Sequence, residues 1–514
     1  MTNASKDSLF ILIKSLSRSE KRQFKLYVNR LGVNADAKFL ALFNLLDKMQ
    51  EYKEGAILKS KIVKKQQLSN LKAHLYRQIL VSLRLNPVHQ NIRIQIREQL
   101  DFATILYHKG LYKQSLKILD KAKSFAIAYE EKNIAYEITE LEKTIESQYI
   151  TRDISERADE LTVQAKELSR QNVIASKFSN LSFQLYGIIL KSGYVKSDAE
   201  IKRITDYFNA RLPDYKFKEL GFREKLWVCK THLWYSILIQ DFLACYKYAA
   251  RWVNMFYENE PMIFLNPVLF LKGNNYLLES LYLIKYRSRF KSALKKLEDT
   301  IVLDAFPKNE NAQTLSFLYI YTNKFNLHFL EGSFAEGLYL VDEVLKKLSL
   351  HRDRIDEHHV MVFYYKIACL YFGMGNNQKC IQYVMKIIDN KNLIMREDLM
   401  CFSRVLSLAA HYDAGLDYHL EVQLKSTYKF LLKMNELHEV QREIIKFLRN
   451  LGNIYPHELK GEFRKLHTCL KAYEDHPYEK RAFLYLDVIS WLESKIENRP
   501  VASIIQEKAK MLMR

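Results

Sequence analysis

Glycine and proline are scarce in this chain, with 14 and 8 in 514 residues. All-β and doubly wound folds need both at their many turns, so the scarcity favours helices joined by short connections. The six cysteines include no CxxC pair, which argues against a disulfide framework or a zinc site and for a reducing compartment. No apolar run approaches the roughly 18 to 20 residues that cross a bilayer. The longest, Met262 to Leu271, is broken by Asn266 and Pro267. Near the start, Leu9 to Ile13 follows Asp7 and has no small-residue cleavage site, so no secretory leader is expected and the cytoplasm is the expected location.

Catalytic signatures are missing as well. GxxxxGKS/T, GxGxxG, HExxH and GxSxG do not occur, so the phosphate-binding, dinucleotide-binding and hydrolytic sites they build are not expected. Gly373-Met374-Gly375 reads as a turn between helices. His358 with His359, and His411 with His419, lack the third ligand at matched spacing that a metal needs. Glu130 with Glu131, and Glu140 with Glu142, read as solvated helix charges, and Trp227, Trp234 and Trp252 as core. The expectation is a protein that is not an enzyme and holds no metal and no cofactor.

The chain does have a large apolar content, 48% of residues, and an unusual stock of 33 Tyr and 28 Phe. Most of these aromatics fall at helical spacing, where bulky rings fill the wedge between stacked helices. Net charge is +20. Residues 1 to 100 contain 19 Lys and Arg against 7 Asp and Glu, a local +12, so more than half the excess lies in the first fifth. Arg18, Lys21, Arg22 and Lys25 share one side of a predicted helix by i+3 and i+4 spacing. Arg30, Lys59, Lys61, Lys64, Lys65, Lys72, Arg77 and Arg84 extend the cluster. A polarised excess of this kind is read either as a solvated face or as contact with phosphates or an acidic protein surface.

Residues 1 to 90 form a basic helical head. Its predicted helices run from near Ser5 to Leu16, from a capping box at Ser17 and Glu20 to near Gly32, from Asp36 to Tyr52, from Glu54 to Val63, and from Leu68 to Leu85 before Asn86-Pro87. Ile57 to Leu71 lacks the turn glycine of a helix-turn-helix reader.

Residues 91 to 440 repeat. A helix, a turn at a small or polar residue, an aromatic or aliphatic residue and a second helix recur at Tyr112, Ile154, Tyr194, Phe242, Phe290, Phe334, Asn377 and Tyr418. The intervals are 42, 40, 48, 48, 44, 43 and 41 residues. Such a period implies a solenoid of helical hairpins, since no unit buries its apolar face alone. Three units carry a fuller pattern: Phe102, Ala103, Gly110, Tyr112, Ser115, Leu119 and Ala122; Leu277, Leu281, Ile284, Phe290, Ala293 and Leu297; and Tyr364, Ile367, Ala368, Tyr371, Gly375, Cys380, Val384 and Ile387. This resembles the tetratricopeptide repeat, whose consensus of about 34 residues is shorter. Ile154, Asn377 and Arg157 depart from it, the last placing a charge where the consensus has a small residue. Residues 441 to 514 form a helical C-terminal cap, with helices expected over 442 to 451, 458 to 473, 478 to 496 and 501 to 513. Leu16 to Tyr27 also resembles the opening of uncharacterised bacterial helical-repeat proteins, which implies no activity.

The fold class expected is therefore all-α: an α-solenoid of antiparallel helix pairs behind a separate N-terminal helical head. The function expected is a non-catalytic scaffold mediating protein–protein interaction. It would bind a protein or peptide ligand on the inner face of the array, where Tyr365, Cys369 and Phe372 point. That face should be apolar and aromatic. The alternative is an RNA-, DNA- or ribosome-associated protein docking through Arg18, Lys21, Arg22, Lys25, Lys61, Lys64, Lys65, Lys72 and Arg77.

Overall fold

A computed structural model describes residues 7–30, 37–86, 91–149, 154–352, 354–390, 397–433, 439–450, 455, 457–479, 483 and 487–511. All regular elements among the described residues are helical, and consecutive helices pack on one another. No helix among them is long and apolar enough to cross a membrane. The chain forms two compact units, 1–168 and 169–514.

The first unit contains α1 (Ser8–Ser15), α2 (Arg18–Arg30), α3 (Ala37–Lys48), α4 (Glu54–Lys59) and α5 (Lys65–Arg84), followed by α6 (Ile92–His108), α7 (Tyr112–Ala128), α8 (Lys132–Gln148) and the first half of α9 (Ile154–Ser192). The capping box that opens α2 is present. The Ser17 amide donates to Glu20 Oε2 at 2.6 Å and the Glu20 amide donates to Ser17 Oγ at 3.2 Å, satisfying two otherwise orphaned donors. Residues Gly32, Asp36 and Pro87, expected at helix ends, lie outside the described residues. Phe24, Phe39 and Phe43 form the aromatic centre of the head core, and Ile96, Ala103, Leu119 and Ile138 anchor a second core under α6, α7 and α8. Ala103 and Ser115 sit at the tight approach of α6 and α7, where Ser115 Oγ donates to the Ala103 carbonyl at 2.8 Å. Phe102, by contrast, is 45% exposed and packs little: its side chain leaves the helix on the solvent side of Ala103.

One expectation fails here. Glu142 is not a solvated charge but is fully buried. Lys123, itself buried, donates to Glu142 Oε2. Arg157 reaches Glu142 Oε1 at 3.7 Å, Glu146 at 3.9 Å and Asp120 at 3.6 Å. Burial pushes the Glu142 carboxyl pKa up, and the neighbouring Lys123 and Arg157 cations pull against that shift.

The second unit continues from α9 through α10 (Asp198–Asn209), α11 (Phe222–Leu238), α12 (Phe242–Glu258), α13 (Pro261–Leu265), α14 (Pro267–Leu283), α15 (Arg287–Ile301), α16 (Glu310–Glu331), α17 (Phe334–Leu338), α18 (Val341–Leu350), α19 (Glu357–Gly373), α20 (Asn377–Ile388), α21 (Glu397–Asp413), α22 (Asp417–Lys433), α23 (Glu439–Asn450), α24 (Leu459–Lys471), α25 (Val488–Glu497) and α26 (Val501–Met511). No turn interrupts the 39 residues of α9, so the helix break implied between the Ile154 and Tyr194 units is absent. The helix expected over 478 to 496 is shorter, with α25 starting at Val488 behind an Asp487 cap that accepts from the Ser490 amide. Trp252 is fully buried, whereas Trp227 and Trp234 are half-buried.

The turns inside the helix pairs share one geometry. Gly110, Gln240, Lys285, Gly375 and Gly415 each adopt positive φ, as does Glu130 between α7 and α8. In each, the next amide bonds back to the carbonyl five residues earlier, as from Leu111 to Leu106, Glu131 to Ala126, Asp241 to Ser236, Tyr286 to Leu281, Asn376 to Tyr371 and Leu416 to His411. The left-handed residue donates to the carbonyl three residues before it, completing a Schellman closure. Glycine holds this conformation without strain, but Lys285 at φ 54° does not. Among the described residues its ammonium makes only a long, exposed contact of 3.8 Å to Glu474. A Lys285→Gly variant is therefore expected to gain ~0.5–1 kcal/mol, read as a raised midpoint in urea unfolding.

His232 on α11 lies in an aromatic nest. It stacks on Tyr248 at 4.6 Å, meets Phe208 edge-on at 5.3 Å and shares a 2.9 Å hydrogen bond between Nε2 and the Tyr215 hydroxyl. Burial, then the nearby Lys247 and Arg251 cations, push its pKa down to about 4 from 6.5, and burial holds the adjacent Cys229 thiol up at about 12. The unfolded chain thus takes up a proton that the folded chain refuses, so this contribution to stability is complete above pH 6.5 and falls away as pH drops towards 4. The expected loss across that window is at most ~3 kcal/mol. A His232→Phe variant should flatten that part of the urea-midpoint profile between pH 7 and pH 4.5.

Candidate inner-face cavity

Three first helices of the second unit, α14, α16 and α19, each turn one stripe of side chains towards a common cavity. Asn275, Tyr276 and Glu279 on α14, Tyr319, Thr322, Asn323 and Asn326 on α16, and His358, Val362, Lys366 and Cys369 on α19 follow the three-and-four spacing of a helix face. These helices are apolar nearly all round, because their other faces are buried against their neighbours. Between them lies a cavity of about 990 Å³. The C-terminal helix α26 forms part of its wall through Val501, Ile505, Lys508, Ala509 and Met511. That helix is seated against the Gly332 turn, where Gln506 Nε2 donates to the Gly332 carbonyl at 3.0 Å. A Cβ on Gly332 would stand 2.9 Å from the Ala502 carbonyl oxygen.

Tyr365, Cys369 and Phe372, expected to face inward, all line this cavity. The expected character is only partly right, because a polar ladder crosses the aromatic wall. Lys366 Nζ donates to Asn326 Oδ1 at 2.6 Å, Asn326 Nδ2 to Asn323 Oδ1 at 3.2 Å, and Asn323 Nδ2 to Asn275 Oδ1 at 3.0 Å. The lysine fixes the direction of the whole series. An ammonium only donates, so each amide in turn must present its oxygen towards Lys366 and its nitrogen away. Lys366 keeps some accessible surface because it faces the cavity, yet protein surrounds it. Burial pushes its pKa down to about 8, and its ammonium lies 5.6 Å from the centre of the Phe329 ring. Burial also holds the Cys369 thiol up at about 12, a protonated and unreactive state. The Tyr319 hydroxyl is held at about 12 and that of Tyr276 is raised further.

The basic head divides into engaged and open cations. Lys72 bonds Asp7 and the Tyr52 hydroxyl, the latter at 3.0 Å, and lies over the Tyr52 ring at 4.9 Å. Burial works against its charge, yet these partners raise its pKa overall. Lys21 pairs with Asp47 at 2.7 Å and Lys25 lies 5.9 Å from the Phe43 ring centre. Arg18, Arg22, Arg30, Lys61, Lys64, Lys65 and Arg77 are exposed. Among the histidines, His359 caps against Asp356 at 2.6 Å and His411 Nδ1 bonds the Ser407 carbonyl at 2.7 Å. The His419 side chain lies outside the described residues, and among those described no group of three or more His, Cys, Asp or Glu is placed to hold a metal.

Comparison with known proteins returns no match among family models, curated proteins or solved structures. The ladder residues Asn275, Asn323, Asn326 and Lys366 did not stand out in the sequence. Their signal was present all the same: polar side chains at inward positions of helices otherwise apolar all round.

Proposed function

We propose that the repeat array is a divergent tetratricopeptide-type scaffold, non-catalytic, that holds a segment of a protein partner along its inner face. The main support is the cavity of about 990 Å³ between the first helices of the pairs, with Tyr276, Tyr319, Tyr365 and Phe372 on its wall. Aromatic anchors in a preformed apolar recess are the usual source of affinity for such segments. The six cysteines, all free, suit the reducing cytoplasm as its location.

Thr322 lines the cavity, and Thr322→Trp would place a bulky ring in the path of a bound segment. Crosslinking of the full chain in extracts of its host, followed by mass spectrometry, should recover one protein partner that this variant loses. The same partner should persist in the triple charge reversal Lys21→Glu, Arg22→Glu, Lys25→Glu. Retention by Thr322→Trp would overturn the reading.

A second reading assigns RNA, DNA or the ribosome to the head. It is supported by Arg18, Arg22, Lys64, Lys65 and Arg77, which form no ion pair among the described residues. It expects a nuclease-sensitive partner set, lost in the triple reversal, with affinity falling steeply with salt as phosphate contacts release counterions.

A further inference from the structure

The polar ladder has two ends, and both offer donors. At one, Lys366 gives one of its three ammonium hydrogens to Asn326. Lys366 itself lines the cavity, and no carboxylate among the described residues lies within ion-pair distance of its ammonium. At the other end, Asn275 accepts from Asn323 through Oδ1, so its amide hydrogens point away from the ladder. They find no acceptor among the described residues. Asn323 also donates to the Tyr319 carbonyl at 2.8 Å, which locks the middle of the series. The stripe is thus a set of fixed donors with a single net positive charge, set in an aromatic wall. An ammonium set among aromatic rings is costly to keep charged, and a ligand that supplies oxygen lone pairs relieves that cost.

The volume and the charge narrow the ligand further. About 990 Å³ is at the upper end of small-molecule sites, roughly 300–1,000 Å³. Glu279 stands on the same wall and contributes a negative field at Lys366. The other cations of the lining are paired, Lys285 and Lys471 with Glu474, Arg287 with Glu331 and Lys508 with Glu493, so the ladder's single ammonium, offset by Glu279, suits a monoanion better than a phosphate dianion.

We propose that the inner cavity binds a small amphipathic monocarboxylate, with its head on the Lys366–Asn326 end of the ladder and its apolar body along Tyr276, Tyr319, Phe329 and Phe372. The inference rests on the inner face being the binding surface and names the chemistry that surface takes. A carboxylate also occurs at the end of a peptide, and the test separates the two sources.

Dodecanoate serves as the probe, titrated calorimetrically into the full chain, with dodecanol as its uncharged counterpart. Two further ligands are one apolar decapeptide with a free C-terminus and the same peptide amidated. Dodecanoate should bind the parent chain, and Lys366→Met should weaken it at least tenfold while leaving dodecanol binding and the thermal melt intact. Asn326→Asp, which places an acceptor and a negative charge inside the ladder, should weaken dodecanoate to a similar degree. Equal binding of dodecanoate and dodecanol, or an unchanged affinity in Lys366→Met, overturns the proposal. Binding of the free-acid peptide without dodecanoate binding overturns the small-molecule assignment and leaves the scaffold reading standing. The scaffold reading fails separately, if Thr322→Trp retains the protein partner.

Discussion

A Gly273→Val variant melts roughly 3–5 °C below the parent chain in its second unit, residues 169–514, the scale on which ~3 kcal/mol registers in a unit of that length. Gly273 lies on α14 directly beneath the Trp252 indole. A Cβ there would meet Nε1 at 2.7 Å and Cδ1 at 2.8 Å, closer than side chains tolerate. The indole has nowhere to retreat, since Trp252 is fully buried and its ring packs on Tyr276 at 5.9 Å. The close approach of α12 and α14 therefore depends on the missing side chain. Trp252→Leu should cost stability alone through the void it opens. It should cost much less in the Gly273→Val background, where the valine occupies part of that void. Differential scanning fluorimetry of the four proteins tests the coupling. An unchanged melt for Gly273→Val, or strict additivity of the pair, would overturn this account of the contact.

The second large effect is expected in the first unit. Glu142→Ala leaves the Lys123 ammonium buried without its carboxylate and removes one acid from Arg157. Breaking a buried pair on one side costs about 3–5 kcal/mol. Removing both charges with apolar side chains of similar volume is different, because the desolvation of each ion is relieved with the bond. Lys123→Met with Glu142→Leu should thus recover most of the loss, while Arg157 keeps Glu146, Asp120 and Glu160. Urea unfolding of the two single variants and the double variant gives the coupling. A double variant as unstable as Glu142→Ala would show that the ion pair is a net source of stability, contrary to this expectation.

The sequence announced helices and their pairing because both rest on local features: the spacing of apolar residues, and the residue that closes each turn. Gly110, Gly375 and Gly415 mark turns plainly. Glu130, Gln240 and Lys285 occupy the same left-handed position without the residue that normally signals it, and only the neighbouring pattern reveals them. The inward aim of Tyr365, Cys369 and Phe372 was legible from one helix alone. The ladder was not, because it joins side chains from three helices far apart in the chain. The fate of Glu142 was hidden for the same reason, although Arg157 in place of a small residue was a trace of it. A charge at a packing position needs a buried partner, and Glu142 is that partner.

The Schellman closures have a consequence for how this chain tolerates changes of length. The connections closing the pairs α6–α7, α11–α12, α14–α15, α19–α20 and α21–α22 are each three residues long, whereas α15 and α16 are joined by eight, 302–309. Each short turn is a closed ring of backbone hydrogen bonds with a set number of members, so an added residue breaks the ring. The 302–309 join contains no such ring. Added residues can therefore be absorbed in the 302–309 join while the hairpins on either side keep their geometry. An epitope tag placed near Asp304, which is fully exposed, is expected to leave both flanking hairpins folded.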